Sequence, residues 1–295
     1  MSRPIPATVP HEKIGLYQKN YIAITRGKER LFLFAADQKM EHMNDDFYAQ
    51  DLPSEVNDPH HIFTLASDPS IGAFASHAGL ISLYGPLYPS INYIVKLNGK
   101  TNLTDGDPLS SQLWTVHDVI QMKINSNLRI CGVGYTVYLG SDYEHAMLKE
   151  AASIVQAAHE QGLLAILWIY PRGHAVHAPY DPHVIAGAAG VGASLGADFI
   201  KVHAPQAASV TLQEAVVAAS VSHVIVSGGP VIDPVDYVKI VYSYMHEGKV
   251  SGIAVGRNIF QHNKKVALAL ANALSYIVYE NCNLSVALDI LRSNS

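Results

Sequence analysis

Eight short apolar runs alternate with longer helical patterns along this chain. The runs are rich in β-branched or aromatic residues and close on Gly, Pro or Asp, as strands do. Repeated strand–helix alternation is typical of parallel βαβ units, and eight such units close a (β/α)8 barrel. The pattern therefore predicts an α/β fold of the TIM-barrel type, with strands within residues 30–37, 71–79, 91–99, 129–141, 163–173, 197–205, 222–230 and 251–260.

The competing α/β arrangement is a doubly wound open sheet. Its glycine-rich dinucleotide turn should follow the first strand, but "AADQKMEH" at residues 35–42 contains no glycine. We therefore predict one barrel domain over residues 1–295, with an N-terminal extension at 1–28 and extra C-terminal helices at 262–295. A helix should begin after the fourth strand with a capping box of Ser141 and Glu144 and stop at Gly162.

Composition limits the partners and the location of the chain. The formal net charge of −5 and the absence of a basic run give no electrostatic basis for nucleic-acid binding. Cys131 and Cys282 lie far apart without a CxxC spacing, which indicates a reducing compartment. We find neither a signal-peptide core nor an apolar run long enough to span a membrane. The expectation is a cytoplasmic protein that binds neither nucleic acid nor membrane.

The sixth run, "ADFIKVHAP" at 197–205, contains a lysine where a buried strand should be apolar. Because side chains alternate along a strand, Phe199, Lys201 and His203 share one face. Ile200 and Val202 suit packing against the helices, so we expect Lys201 to point into the barrel. Burial lowers the pKa of a lysine, and a neutral amine can form a Schiff base with a carbonyl.

Other polar side chains lie near the C-terminal ends of their strands, where barrel enzymes build active sites. Trp168, Tyr170 and Arg172 share one face of the fifth run, and Asp37 ends the first. A phenol can relay protons, and a carboxylate can orient or accept them. Lys201, Tyr170 and Asp37, on three different strands, therefore form a candidate catalytic set.

Two alternatives for the lysine remain open at this level. Lys201 could form a salt bridge with Asp37 and serve only to close the barrel. Lys96, in the third run, is a second lysine expected to face inward, and the sequence does not decide between it and Lys201.

The last two strands end in glycine-containing motifs, "VSGGP" at 226–230 and "AVGRNIF" at 254–260. Loops after strands seven and eight of a barrel commonly hold a phosphate. Glycines let backbone N–H groups approach an anion, and Arg257 could add a charge-assisted contact. The two motifs together predict a phosphorylated small-molecule substrate.

Histidines leave a metal-dependent alternative open. His174, His177 and His183 follow the fifth run, and His203 ends the sixth. A zinc ion on such ligands could polarise a carbonyl. His174 and His177 are not spaced as i, i+4 helical neighbours, and prolines and glycines surround them. Surface or substrate-adjacent histidines are therefore the competing interpretation.

Several motifs occur in an order that resembles the archaeal-type class I fructose-bisphosphate aldolases, relatives of deoxyribose-phosphate aldolase-like barrels. They are "AADQKMEH", "VKLNGKTNL", "YTVYLGSDYEH", "LWIYPRG", "ADFIKVHAP", "VSGGP" and "AVGRNIFQ". The resemblance implies a lyase of carbohydrate metabolism, in glycolysis or gluconeogenesis, that cleaves a ketose phosphate reversibly without metal or cofactor. It also implies a homo-oligomer, often a decamer of stacked pentamers.

The resemblance also assigns roles to residues. Lys201 would be the Schiff-base lysine and Tyr170 the proton shuttle, with Asp37 as a catalytic neighbour. The substrate-binding candidates are Trp168, Lys96, Arg172 and His203. The phosphate-binding candidates are Ser227, Gly228, Gly229, Gly256 and Arg257.

Two departures from the family pattern bear on the substrate. Gln38 is followed by Lys39, where the family usually has His-Gly or Gln-Gly after the first-strand acid. Residues 43–63 form a long acidic segment in a position where aldehyde choice would be set. A related aldolase or transaldolase-type condensing enzyme with another sugar-phosphate donor, and a non-catalytic sugar-phosphate-binding barrel, remain as alternatives.

Overall fold

The computed structural model describes residues 4–294, and within them eight parallel strands form a closed barrel in sequential order. β1 pairs with β2 on one side and with β8 on the other, which closes the sheet. This confirms the predicted TIM barrel. The strands are β1 (Leu31–Ala35), β2 (Ala73–His77), β3 (Tyr93–Lys96), β4 (Ile130–Leu139), β5 (Leu164–Pro171), β6 (Phe199–Val202), β7 (His223–Ser227) and β8 (Gly252–Val255).

Each strand lies within the apolar run that predicted it, but the last run contains more than a strand. Arg257–Phe260, its final residues, form a short helix whose N-cap is Gly256. The helices are α1 (Ile14–Thr25), α2 (Gln38–Glu41), α3 (Pro59–Ala66), α4 (Ala78–Tyr84), α5 (Val116–Ser126), α6 (Glu144–Glu160), α7 (Pro182–Ser194), α8 (Leu212–Ala219), α9 (Pro234–His246), α10 (Arg257–Phe260), α11 (Lys264–Glu280) and α12 (Leu284–Asn294).

The predicted N-terminal extension packs against the N-terminal end of the barrel. Asn20 of α1 donates to the Gly162 carbonyl just before β5 at 2.8 Å. Tyr17 of the same helix donates to the buried Asp198 carboxylate just before β6 at 2.5 Å. The extension thereby covers the barrel end opposite to the strand C-termini. Residues 1–3 of the extension and residue 295 of the C-terminal helical segment lie outside the described residues.

The capping box predicted for α6 is wrong in its register. The helix begins at Glu144, and the Glu144 carboxylate accepts from the backbone N–H of Gly140 rather than from that of Ser141. The Ser141 hydroxyl instead donates to the Pro108 carbonyl at 2.7 Å. Gly140 has a φ of 74°, a left-handed turn, and the helix has its N-cap at Tyr143, two positions after the predicted cap at Ser141. The predicted stop at Gly162 is confirmed, since α6 ends at Glu160 just before it.

The glycines of α7 allow the helix to approach the sheet closely. A Cβ atom added at Gly192 would lie 2.8 Å from Cγ1 of Ile200 in β6. Ile200 therefore faces the helix layer, and the alternation along β6 turns Lys201 to the barrel interior, as predicted. No helix within residues 4–294 is long and apolar enough to cross a membrane.

A second close approach occurs inside the barrel, between β4 and β5. A Cβ atom at Gly134 would lie against the six-membered ring of Trp168, 2.6 Å from Cη2. Trp168 is 2% exposed, so its ring has little room to move away. The lack of a side chain at Gly134 therefore lets the Trp168 indole pack directly against β4 inside the barrel.

We expect Gly134→Ala to destabilise the protein by about 1–3 kcal/mol, because overpacking a rigid core displaces side chains. Gly187→Ala is the matched control, since a Cβ at this exposed position of α7 meets nothing within 4 Å. That control should stabilise the helix by roughly 0.5–1 kcal/mol. Urea unfolding monitored by tryptophan fluorescence measures both changes. Equal effects of the two substitutions would contradict the proposed contact.

Candidate active site

A cavity of about 500 Å³ opens at the C-terminal ends of the barrel strands. This is the end at which the sequence places the polar candidates. All twelve predicted site residues line this one cavity: Asp37, Lys96, Trp168, Tyr170, Arg172, Lys201, His203, Ser227, Gly228, Gly229, Gly256 and Arg257. The barrel thus brings together residues that are up to 220 positions apart (257 − 37) in the chain.

Lys201 lines this cavity and is 5% exposed. Among residues 4–294, its amine makes neither a hydrogen bond nor an ion pair, so the alternative of a structural salt bridge between Lys201 and Asp37 is not observed there. Its Nζ lies 5.2 Å from the centre of the Trp168 ring. Burial lowers the pKa of Lys201, and the nearby carboxylates of Asp37 and Glu41 oppose that shift only in part.

Lys96, the second inward lysine, lies on the same aromatic ring. Its Nζ is 5.4 Å from the Trp168 ring centre, and the residue is 3% exposed. Unlike Lys201, its amine is held, because it donates to the side-chain oxygen of Asn98 at 2.8 Å and to the Asn98 carbonyl at 3.0 Å. Burial lowers the pKa of Lys96 to about 8. The site therefore contains two amines with different environments, one free and one fixed.

Asp37 is the carboxylate whose negative charge acts on both Lys201 and Lys96. Burial acts to raise its pKa, but Lys201 first and Lys96 second, with smaller contributions from His77 and a backbone hydrogen bond, hold the pKa below its usual value. Asp37 is therefore ionised at neutral pH. Its charge balances part of the positive charge that the lysines bring into the barrel.

Tyr170 is enclosed by two side chains. Its ring stacks on the imidazole of His203 with 4.3 Å between ring centres, and the Arg172 guanidinium lies 5.0 Å from its centre. Burial raises the pKa of Tyr170 well above its ordinary value, so the phenol keeps its proton at neutral pH. Within residues 4–294 its hydroxyl has no hydrogen-bond partner. The phenol is thus rigidly placed, with its hydroxyl available to a ligand.

Arg172 and His203 form a chain that ends on Glu41. Arg172 Nε donates to His203 Nε2 at 3.2 Å, and Arg172 Nη1 donates to Glu41 at 3.1 Å. Glu41 also accepts from the Tyr138 hydroxyl at 3.4 Å. Burial first, and the charge of Arg172 second, lower the pKa of His203 to about 3. His203 is therefore a neutral acceptor whose ring supports Tyr170.

The ends of β7 and β8 build the adjoining part of the cavity wall, between β6 and β1. The Gly228 N–H donates to the Ala254 carbonyl at 2.9 Å, and Gly229 has a φ of 65° that favours glycine. Buried Asn258 holds the loop by donating to the carbonyls of Gly228 at 2.9 Å and Pro230 at 2.8 Å. This loop has the backbone freedom and the fixed geometry that an anion site requires.

Arg257 lies at the same end of the cavity. Its Nη2 donates to the Gly229 carbonyl at 3.2 Å, and its Nη1 lies 3.6 Å from the Asp46 carboxylate. Asp46 comes from the acidic 43–63 segment and also pairs with His42 at 2.6 Å. Phe47, the next residue, stacks on Phe260 of α10 with 5.0 Å between ring centres. The acidic segment therefore packs against the β8 end of the cavity and holds Arg257.

The histidines of the metal alternative do not form a cluster. His174 pairs with Asp107 at 3.5 Å, exposed His183 pairs with Glu214 at 2.5 Å, and His203 contacts Arg172. Within residues 4–294, no group of three or more His, Cys, Asp or Glu side chains has a geometry that could hold a metal ion. The donor geometry therefore gives the zinc alternative no site in the described part of the chain.

Sequence reasoning missed several residues that shape the cavity. Glu41 and Asn98 line it, and each bonds to a predicted site residue. His77 lines it as well, and its Nε2 lies 3.1 Å from the Asn98 carbonyl. Alternation offered one signal, because Asn98 follows Lys96 by two positions and Lys96 had been identified. Nothing in the sequence indicated that Glu41 would reach Arg172.

Comparison with known proteins identifies the family of this chain. The profile of the DeoC/LacD family aldolases matches residues 31–262, so the chain belongs to that aldolase family. A fructose-bisphosphate aldolase/6-deoxy-5-ketofructose 1-phosphate synthase of Methanocaldococcus jannaschii is 44% identical over 97% of this chain and 93% of its own. A class 1 fructose-bisphosphate aldolase of Thermoproteus tenax is 33% identical over 92% of this chain and 98% of its own length.

Solved structures give the same relationship. A fructose-bisphosphate aldolase from Slackia heliotrinireducens superposes with a TM-score of 0.96 at 40% identity, covering 100% of this chain and 95% of its own. An archaeal fructose-1,6-bisphosphate aldolase whose catalytic lysine carries a carbinolamine intermediate superposes with a TM-score of 0.79 at 32% identity. The superposition covers 89% of this chain and 99% of that structure. The predicted resemblance to the archaeal-type class I enzymes is confirmed.

The low pKa of His203 predicts a pH dependence of stability. An unfolded histidine titrates near pH 6.5, whereas His203 in the folded protein titrates at about 3. Below pH 6.5 the unfolded chain binds more protons, so the free energy of unfolding should fall by about 2 kcal/mol between pH 7 and pH 5 because of His203 alone. His203→Gln keeps an acceptor for Arg172 and should remove the part of the pH-dependent fall in unfolding free energy that His203 causes. Identical pH slopes in urea unfolding of both proteins would contradict the prediction.

Proposed function

We propose that this protein is a class I aldolase that cleaves and forms a carbon–carbon bond of a ketose phosphate through an imine at Lys201. The observation that carries the proposal is the state of the Lys201 amine. The amine belongs to a buried residue that lines the cavity, has a lowered pKa and makes no hydrogen bond or ion pair within residues 4–294. A structural lysine would be paired, whereas a nucleophilic amine must be free to attack.

In the proposed reaction the Lys201 nitrogen attacks the ketone carbon, and water leaves to give an iminium ion. The iminium withdraws electrons from the adjacent carbon–carbon bond. That bond breaks as the hydroxyl on its far carbon loses a proton, which releases an aldehyde and leaves an enamine. The enamine then takes up a proton and the imine is hydrolysed by water. Because the iminium supplies the electron sink, no metal or cofactor enters the cycle.

Tyr170 and Asp37 are suited to the proton transfers. The Tyr170 phenol keeps its proton, so it can donate to the aldehyde oxygen in the condensing direction. In the cleavage direction the phenol must pass a proton on, and ionised Asp37 in the same cavity can receive it. Trp168 has a buried indole N–H without a partner among the described residues, which leaves a donor for a substrate oxygen. We therefore propose Lys201, Tyr170 and Asp37 as the catalytic residues.

The two ends of the cavity suit the two halves of the substrate. We propose that the donor phosphate lies against the 227–229 loop, Gly256 and Arg257. The Gly228 N–H is already bonded to the Ala254 carbonyl, so the donors for the phosphate are the backbone N–H groups of Gly229 and Gly256 and the Arg257 guanidinium. Lys96, Arg172 and His203, farther round the cavity, would contact the remainder of the sugar. Curated relatives named fructose-bisphosphate aldolase support fructose 1,6-bisphosphate, cleaved to dihydroxyacetone phosphate and an aldehyde, as the substrate.

A second acceptor is a further proposal. The Methanocaldococcus jannaschii relative, 44% identical to this chain, also bears the name 6-deoxy-5-ketofructose 1-phosphate synthase. We infer that the same imine in this chain could be captured by an aldehyde other than a triose phosphate. This is a change of acceptor and not of mechanism.

We also propose that the chain acts as one domain, as a homo-oligomer up to a decamer, in the cytoplasm and in carbohydrate metabolism. A subunit contact would cover apolar side chains that are exposed on three helices: Ile22 of α1, Ile124 of α5 and Val217 of α8 are 57%, 69% and 79% exposed. Cys131 and Cys282 are free thiols, which agrees with a reducing compartment.

Imine trapping tests the assignment of Lys201. Borohydride added with dihydroxyacetone phosphate should give a stable mass increase on the peptide that contains Lys201. Lys201→Met should lack the adduct and lose cleavage activity on the order of 10³-fold or more. Lys96→Met is the matched control and should keep the adduct. An adduct on the Lys96 peptide, or activity that survives Lys201→Met, would overturn the proposal.

The phosphate assignment predicts a selective loss in Arg257→Met. Because one charge-assisted contact contributes about 1.5–3 kcal/mol, kcat/KM for the phosphorylated donor should fall about 10- to 100-fold. Imine formation with unphosphorylated dihydroxyacetone should change little. Arg292→Met, on the exposed surface of α12, is the control and should alter neither donor. Equal losses with both donors would place the phosphate elsewhere.

A further inference from the structure

Asn98 lies two residues beyond the end of β3, fully buried, and its side-chain amide is saturated with hydrogen bonds. Its Oδ1 accepts from the Thr136 N–H and from Lys96 Nζ, each at 2.8 Å. Its Nδ2 donates to the carbonyls of Ser110 and Thr136, each at 2.8 Å. An amide has two donors and two acceptor sites, and here all four are used. Only one orientation of the amide satisfies these partners, so the oxygen facing Lys96 is fixed.

The Lys96 ammonium is consequently fixed at two points. It donates to Asn98 Oδ1 at 2.8 Å and to the Asn98 carbonyl at 3.0 Å. An ammonium has three N–H groups, and among residues 4–294 the third has no hydrogen-bond partner. Because Lys96 lines the cavity, this third donor remains for a ligand.

The partners of Lys96 are neutral, and that is what separates it from a structural lysine. A carboxylate in hydrogen-bond contact would cancel most of its charge, whereas amide oxygens stabilise the ammonium and leave the charge in place. The charged groups that act on Lys96 at longer range are Asp37, Glu41 and Lys201. His77, which faces it from β2, has a pKa lowered to about 4 and is neutral near pH 7.

We propose that Asn98 is a positioning residue that directs the Lys96 ammonium, and that Lys96 is a second catalytic cation beside the Lys201 imine. The third N–H of Lys96 donates to the substrate hydroxyl on the carbon next to the imine. This inference rests on the proposed aldolase function and adds a role for a residue that sequence reasoning missed. The charge of Lys96 also helps keep Asp37 ionised, which the proton transfers require.

A double-mutant cycle tests the coupling. Asn98→Ala should lower kcat/KM for cleavage about 10- to 100-fold, the effect of losing a charge-assisted hydrogen bond at the transition state. In a Lys96→Met background the same substitution should cost less than about twofold, because the group that it positions is gone. Equal losses in both backgrounds would overturn the proposal, since a purely structural role does not depend on Lys96.

The pH profile gives a second readout. If protonated Lys96 is the active form, kcat/KM falls as pH rises through its pKa of about 8. Asn98→Ala removes an acceptor and should move this descending limb to lower pH. Asn98→Asp keeps an oxygen toward Lys96, adds negative charge and should move the limb to higher pH, and it serves if Asn98→Ala does not fold. The proposal is overturned if kcat/KM falls at the same pH in the wild-type protein and in every Asn98 variant that folds.

Two control experiments distinguish a specific role of Asn98 from a general loss of stability and from a failure of the aldolase proposal. Asn92→Ala removes another asparagine that bridges carbonyls, with Nδ2 bonded to Ala23 at 3.3 Å and Gly72 at 3.0 Å, but outside the cavity. It should reduce stability without moving the pH limb. Borohydride trapping on Lys201 should persist in the Asn98 variants. If the wild-type protein gives no borohydride adduct on Lys201, the aldolase proposal itself is refuted. If the adduct forms but the effects of Asn98→Ala and Lys96→Met on kcat/KM simply add, only the role of Asn98 is refuted.

Discussion

The removal of water from two lysine side chains is the constraint on which the rest of the site depends. Each buried charge costs several kcal/mol in desolvation unless other groups compensate for it. Lys201 and Lys96 lie 5.2 and 5.4 Å from the centre of the Trp168 ring, which attracts cations through its π face. Asp37 supplies the opposite charge without contacting Lys201. The compensation is therefore spread over several groups, and the amine of Lys201 stays free to react.

The same constraint divides the cavity into regions of different character. Burial keeps His203, which follows β6, and His77, at the end of β2, neutral near pH 7, so the positive charge near the imine comes from the lysines and Arg172. Asp46 and Asn258 hold Arg257 and the glycine loop after β7 in place. A phosphate can be attracted to one end while an uncharged carbonyl meets an amine at the centre. Their separation follows from the closed barrel, which places β5–β6 and β7–β8 around one opening.

Much of the fold and part of the site could be predicted from local patterns. Alternation along β6 correctly turned Lys201 and His203 inward, because the period of a strand is fixed by its backbone. The glycine motifs were correctly placed after β7 and β8, since turn chemistry is local. The capping box of α6 was displaced by the left-handed turn at Gly140. Glu41 and Asn98 were missed because their importance lies in partners far away in the chain, Arg172 and Thr136.

By itself, then, the sequence determined the barrel, the inward lysine and the family, because strand period, turn residues and motif order are properties of short segments. Only the tertiary structure decided which of the two amines is free. Lys201 and Lys96 occupy equivalent inward positions near the ends of their strands, and both are buried. They differ because a saturated asparagine, anchored to β4 through Thr136, lies beside Lys96, whereas no such acceptor among the described residues reaches Lys201. That difference is set by contacts between strands, which no local pattern encodes.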